Sequence, residues 1–92
     1  MSEKDLKNQV LKYLKKFPNV WVYHPSDKWV SGVPDILFLK DRRLWAIELK
    51  VGKNKPTKLQ LHTLSKINKA GGCAFVAYNL ETVKTNIEGD MK

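Results

Sequence analysis

The chain offers little from which a covalent or membrane-borne scaffold can be built. Cys73 is the one cysteine in 92 residues, which excludes an intrachain disulfide framework or a cluster of thiolate metal ligands. Set in the apolar run Cys73-Ala74-Phe75-Val76-Ala77, it reads as a small buried hydrophobe rather than a reactive thiol. No apolar run exceeds roughly eight residues, far below the ~20 that span a bilayer, and the N-terminus opens on polar, charged residues. The expectation is a soluble, intracellular protein without a membrane partner. Four prolines and five glycines are scattered rather than clustered, with no linker, repeat or low-complexity tract, so residues 1–92 read as a single domain. Acidic residues are also scarce, nine against 17 Lys and Arg, for a formal charge of +8. That imbalance favours a polyanion, nucleic acid first, although a lysine-rich face that merely keeps the protein soluble also accounts for it.

What is present falls into short elements. Leu6, Val10, Tyr13, Leu14 and Phe17 recur at helical spacing, predicting an amphipathic helix from Ser2, its N-cap, to about Phe17, ended by Pro18-Asn19. Val20 to Tyr23 is β-branched and aromatic, hence a strand, and a loop of about ten residues follows. Ile36–Leu39 and Leu44–Ile47 flank Lys40-Asp41-Arg42-Arg43 as an antiparallel hairpin. Thr57 to Lys69 returns to helix, with Leu61, Leu64 and Ile67 as apolar anchors and Gly71-Gly72 beyond its end. Cys73 to Tyr78 reads as a covered strand, and Leu80 to about Glu88 as a last short helix. The order α-β-β-β-α-β(-α) is that of an α/β domain, a mixed sheet with flanking helices.

Chemistry gathers in the middle of the chain. Glu48 and Lys50 interrupt an apolar strand, and alternation sets both on one face while Ile47 and Leu49 point to the other. A plain Glu–Lys pair at a sheet end would account for them. Asp35 alters the balance. It begins the preceding strand after Gly32 and Pro34, and ordinary hairpin pairing sets it beside Glu48. Two carboxylates ~4 Å apart repel by roughly 4 kcal/mol at an effective dielectric of 20, so the pair calls for a cation or a shared proton. A hard divalent ion, Mg²⁺ or Mn²⁺, suits such an all-oxygen site.

Gly32-Val33-Pro34-Asp35 followed by Glu48-Leu49-Lys50 resembles the PD-(D/E)xK nuclease superfamily and, within it, the VRR-NUC domains of the small stand-alone type carried by viruses and mobile elements. The likeness covers most of the chain: a leading helix with an early Glu, the Val-Pro-Asp strand, the Ile-Glu-Leu-Lys strand, a helix carrying Gln, and the Ala-Gly-Gly step occur in the family's order. The resemblance implies a restriction-endonuclease-like fold. It further implies a metal-dependent DNA endonuclease, a homodimer cutting four-way (Holliday) junctions, working in the cytoplasm of a bacterial host if viral. Asp35 and Glu48 would ligate the metal with the Leu49 carbonyl, and Lys50 would orient or help deprotonate the attacking water. Glu3 would assist the metal directly or through water, and Gln60 would be the second helix's glutamine. Each of the last two also has a plain reading, since Glu3 suits the helix dipole and Thr57-x-x-Gln60 is itself a capping box.

Lys53, Lys55 and Lys58 follow the catalytic strand, and with Lys28, Arg42 and Arg43 they are candidates to track a DNA backbone without reading sequence. Trp29 and His24, in the long loop, are candidates to stack on bases or wedge a branch point, against core packing or plain loop structure. Two rival functions stand beside the junction nuclease: cleavage of flaps or duplex without junction preference, and a DNA-binding module that has lost catalysis.

Overall fold

A computed structural model describes residues 1–25 and 32–90, so Lys28 and Trp29 lie outside the described residues. Helix α1 (Glu3–Leu14) starts at a reciprocal capping box, in which Asp5 N donates to Ser2 Oγ and Ser2 N to Asp5 Oδ2, both at 3.1 Å. It stops three residues short of Phe17. Pro18 disfavours the α conformation at the residue before it, and the chain instead closes with tighter bonds from Lys16 N to Tyr13 O and from Phe17 N to Leu14 O. Phe17 still packs on the core, edge-on to Tyr13.

Strands β1 (Trp21–Tyr23), β2 (Ile36–Lys40), β3 (Arg43–Leu49) and β4 (Cys73–Ala77) form one mixed sheet in the order β1-β2-β3-β4. The first two pairings are antiparallel, whereas β3 and β4 run parallel and are joined through α2 (Lys58–Lys69). The β2–β3 connection is a two-residue turn. Asp41 and Arg42 both hold positive φ, 55° and 64°, the conformation whose twist matches a tight hairpin.

The sheet separates two environments. Ile36, Phe38, Trp45, Ile47, Leu49 and Ala77 form one core with Leu6, Val10 and Leu14 of α1 and with Val83 and Ile87 of α3 (Leu80–Asp90). Asn79 caps α3 by accepting from Thr82 N at 2.9 Å. Helix α2 lies over β3 and β4 on the other face. Its inward stripe is Gln60, Leu64 and Ile67, whereas Leu61 sits about a quarter turn aside and is exposed, so it is no anchor. Cys73 is half-buried against the core, and Tyr78 falls outside β4, its hydroxyl donating to Asn54 O at 2.8 Å. No helix among the described residues is long and apolar enough to cross a membrane.

Candidate active site

Continuing the β2–β3 register one step beyond Ile36↔Ile47 sets Asp35 opposite Glu48 on the α2 face. The chain has bent at Asp35 and left the ladder, and its carboxylate takes over: Asp35 Oδ2 accepts from Leu49 N at 2.8 Å. Gly32, at φ +85°, brings the approach to Asp35 close under α2, where a Cβ would lie 2.8 Å from Leu59 Cγ. A side chain there would push against the Leu59 and Thr63 side chains and strain a backbone held at positive φ.

Glu48 is the unusual group. Only 3% exposed, it accepts from Gln60 Nε2 at 3.2 Å and pairs with Lys50 Nζ at 3.6 Å, both through Oε2. Its second oxygen, Oε1, is buried without a hydrogen-bond partner. Burial first, and the neighbouring Asp35 carboxylate second, push the Glu48 carboxyl up to about 8, against the opposing pull of Lys50. A buried carboxyl with an unused oxygen beside a second carboxylate needs either a proton or a cation. The donor set of Asp35 and Glu48 therefore fits a hard divalent ion.

Gln60 is fixed from both ends. Its Oε1 accepts from Thr57 N at 2.8 Å while Thr57 Oγ1 accepts from Gln60 N at 3.1 Å, so the capping box leaves the amide nitrogen facing Glu48. The two readings of Gln60 are thus one arrangement.

The other candidates are spread more widely. Glu3 is exposed in the first turn of α1, and among the described residues no three His, Cys, Asp or Glu side chains form a group able to hold a metal. Lys53, Lys55 and Lys58 are exposed between β3 and the first turn of α2, on the Lys50 side. Arg42 and Arg43 stand at the opposite end of β3, Arg43 five residues and roughly 17 Å from Glu48 at 3.3 Å per residue. Arg43 leans over the Trp45 ring at 5.6 Å. His24 is exposed just past β1. Sequence reasoning missed the burial of Lys40, 6% exposed, whose ammonium pairs with Asp41 at 2.5 Å and lies 5.1 Å from the Phe17 ring centre. It also missed the exposure of Trp21 and Tyr23; neither position carried a signal beyond strand propensity.

No family model and no curated protein matches the chain. Among solved structures, it is similar to one described as "VRR_NUC domain", at 26% identity, covering 94% of each chain with a TM-score of 0.77. With a four-stranded mixed sheet between helices and a likeness that runs through nearly all of both chains, the chain shares the fold of that VRR-NUC domain and resembles it from end to end.

Proposed function

We propose that the chain is a divalent-metal-dependent DNA endonuclease that hydrolyses phosphodiester bonds in branched DNA, four-way junctions above all, as a homodimer. The observation that carries the reading is the buried Glu48, with one oxygen unpartnered, placed beside Asp35 and Lys50. Mg²⁺ or Mn²⁺, held by Asp35, Glu48 and the Leu49 carbonyl, would supply positive charge to the scissile phosphate and acidify water there.

The chain's own residues do the rest. Asp35 is aimed by the Leu49 N–H. Gln60 and Lys50 hold the Glu48 carboxylate at Oε2 and leave Oε1 without a partner, so that it would be available to the cation. The Lys50 ammonium, two residues along the same face, is positioned to offset charge building on phosphate and to orient the attacking water. Exposed Lys53, Lys55 and Lys58 hold the flanking backbone. Pairing of two copies would present two such sites to a symmetric junction.

The test is cleavage of a labelled four-way junction beside a flap and a linear duplex. The protein is expected to nick the junction with Mg²⁺ or Mn²⁺ and to be silent in EDTA. Equal rates on linear duplex would remove the junction preference, and absence of turnover with every metal and substrate would remove the enzyme.

A further inference from the structure

Among the described residues, the α2 face is only half covered. Helix α2 shelters β3 and β4, and the β1–β2 half of that face carries Trp21, Tyr23 and Leu39, respectively 60%, 48% and 47% exposed. The register Trp21↔Leu39↔Leu44 and Tyr23↔Leu37↔Ala46 sets them in two rows on the same face as Asp35 and Glu48. Trp21 and Tyr23 hold their rings near parallel, 8° apart in plane and 6.2 Å between centres. Tyr23 stands one same-face row from Glu48 along the strands and two strands across, roughly 12 Å in all. A row of large exposed aromatics on an open sheet marks a surface that binds another molecule.

Charge narrows the class of ligand. Beside the rows, a groove of about 700 Å³ runs along the flank of α2 from Leu59 to Leu44, with Arg42, His62 and Lys66 among its lining. Arg42 also lines a second hollow with Trp21 and Leu39. Aromatic faces bordered by cations, on a chain of formal charge +8, match unpaired nucleotides, whose bases stack and whose phosphates need positive charge.

We propose that Trp21 and Tyr23, with Arg42 at the far end, form a stacking platform for unpaired bases of the strand entering the Asp35–Glu48 site. This rests on the reading of the chain as a DNA nuclease and, among branched substrates, favours those with single-stranded nucleotides next to the cut, such as flaps and splayed arms, over the fully paired four-way junction.

The test is binding in EDTA, by fluorescence anisotropy, of an oligothymidylate of about twelve nucleotides and of a blunt duplex, by wild type and Trp21→Ala/Tyr23→Ala. Oligothymidylate affinity is expected to fall at least roughly tenfold and duplex affinity less than about twofold, with Trp21→Phe/Tyr23→Phe retaining wild-type binding. Both side chains are largely solvent-facing, and an unchanged melting midpoint certifies the fold. Equal losses on the two ligands, or no loss on oligothymidylate, overturn the platform. So does a dimer that the alanine pair converts to monomer without change in oligothymidylate affinity, since the face would then bind a second copy. Selective loss on oligothymidylate without cleavage of any DNA keeps the platform and removes the nuclease reading. Cleavage unaffected by the alanine pair, with no selective loss, does the reverse.

Discussion

The two faces of the sheet are built from the same strands to opposite ends. Along β3 and the residue that follows it, Trp45, Ile47 and Leu49 point into a closed apolar core against α1 and α3, whereas Ala46, Glu48 and Lys50 point toward α2, where carboxylates and an ammonium meet. One face supplies nearly all the apolar burial that keeps a chain of 92 residues folded. That surplus lets the other face hold a buried carboxyl with an unmatched oxygen, an arrangement that works against stability.

The division is broken most sharply at the carboxylates. Asp35→Asn and Glu48→Gln are expected to lower junction cleavage by about a thousandfold or more while leaving the melting midpoint unchanged or higher, measured as single-turnover rate and thermal unfolding. Intact cleavage by Asp35→Asn would show that the site lies elsewhere. The opposite face reverses the pattern: Trp45→Ala should cost about 3–5 kcal/mol, while Trp21→Ala should cost less than about 1 kcal/mol in denaturant titration. Comparable losses at the two tryptophans would mean that the open face is not open in solution.

A smaller effect sharpens the comparison through pH. The Glu48 carboxyl sits near 8 in the fold against 4.5 as its ordinary value, so the folded state binds more protons across that interval. Stability without metal is therefore greatest below about 4.5 with respect to this group, and on the order of a few kcal/mol is lost as pH rises toward 8. Glu48→Gln should flatten that slope, and added Mg²⁺ or Mn²⁺ should raise the melting midpoint more at pH 8 than at pH 6. The smallest effect separates the two duties of Gln60. Gln60→Ala should cost about 1 kcal/mol as a lost cap and also slow cleavage, whereas Thr57→Ala should cost similar stability and disturb cleavage only through the amide it orients.

Much of this was legible before the fold was known, because short-range rules governed it. Alternation placed Glu48 and Lys50 together, and a tight hairpin placed Asp35 opposite. Where long-range packing decides, the sequence was silent or misleading. The apolar period ran on through Phe17, although Pro18 had already ended the helix. Leu61 fits an apolar stripe on paper, yet the stripe centres on Gln60, Leu64 and Ile67 because α2 sits over β3 and β4. The same placement uncovers Trp21 and Tyr23, and no local pattern tells which half of a sheet face a helix will shade. Lys40 reads as a turn residue, but its ammonium lies over the Phe17 ring while its charge is matched by Asp41.

The amide shared by Thr57 and Glu48 makes the first turn of α2 a fuse. Helix ends fray at far lower free energy than whole domains unfold. Each fraying event withdraws the Gln60 nitrogen from Glu48 and frees the carboxylate to turn away, while the core beneath α1 and α3 is undisturbed. On heating, the Gln60–Glu48 contact is expected to come apart before the protein melts, so the proposed cleavage should turn over at a temperature below that at which the fold is lost.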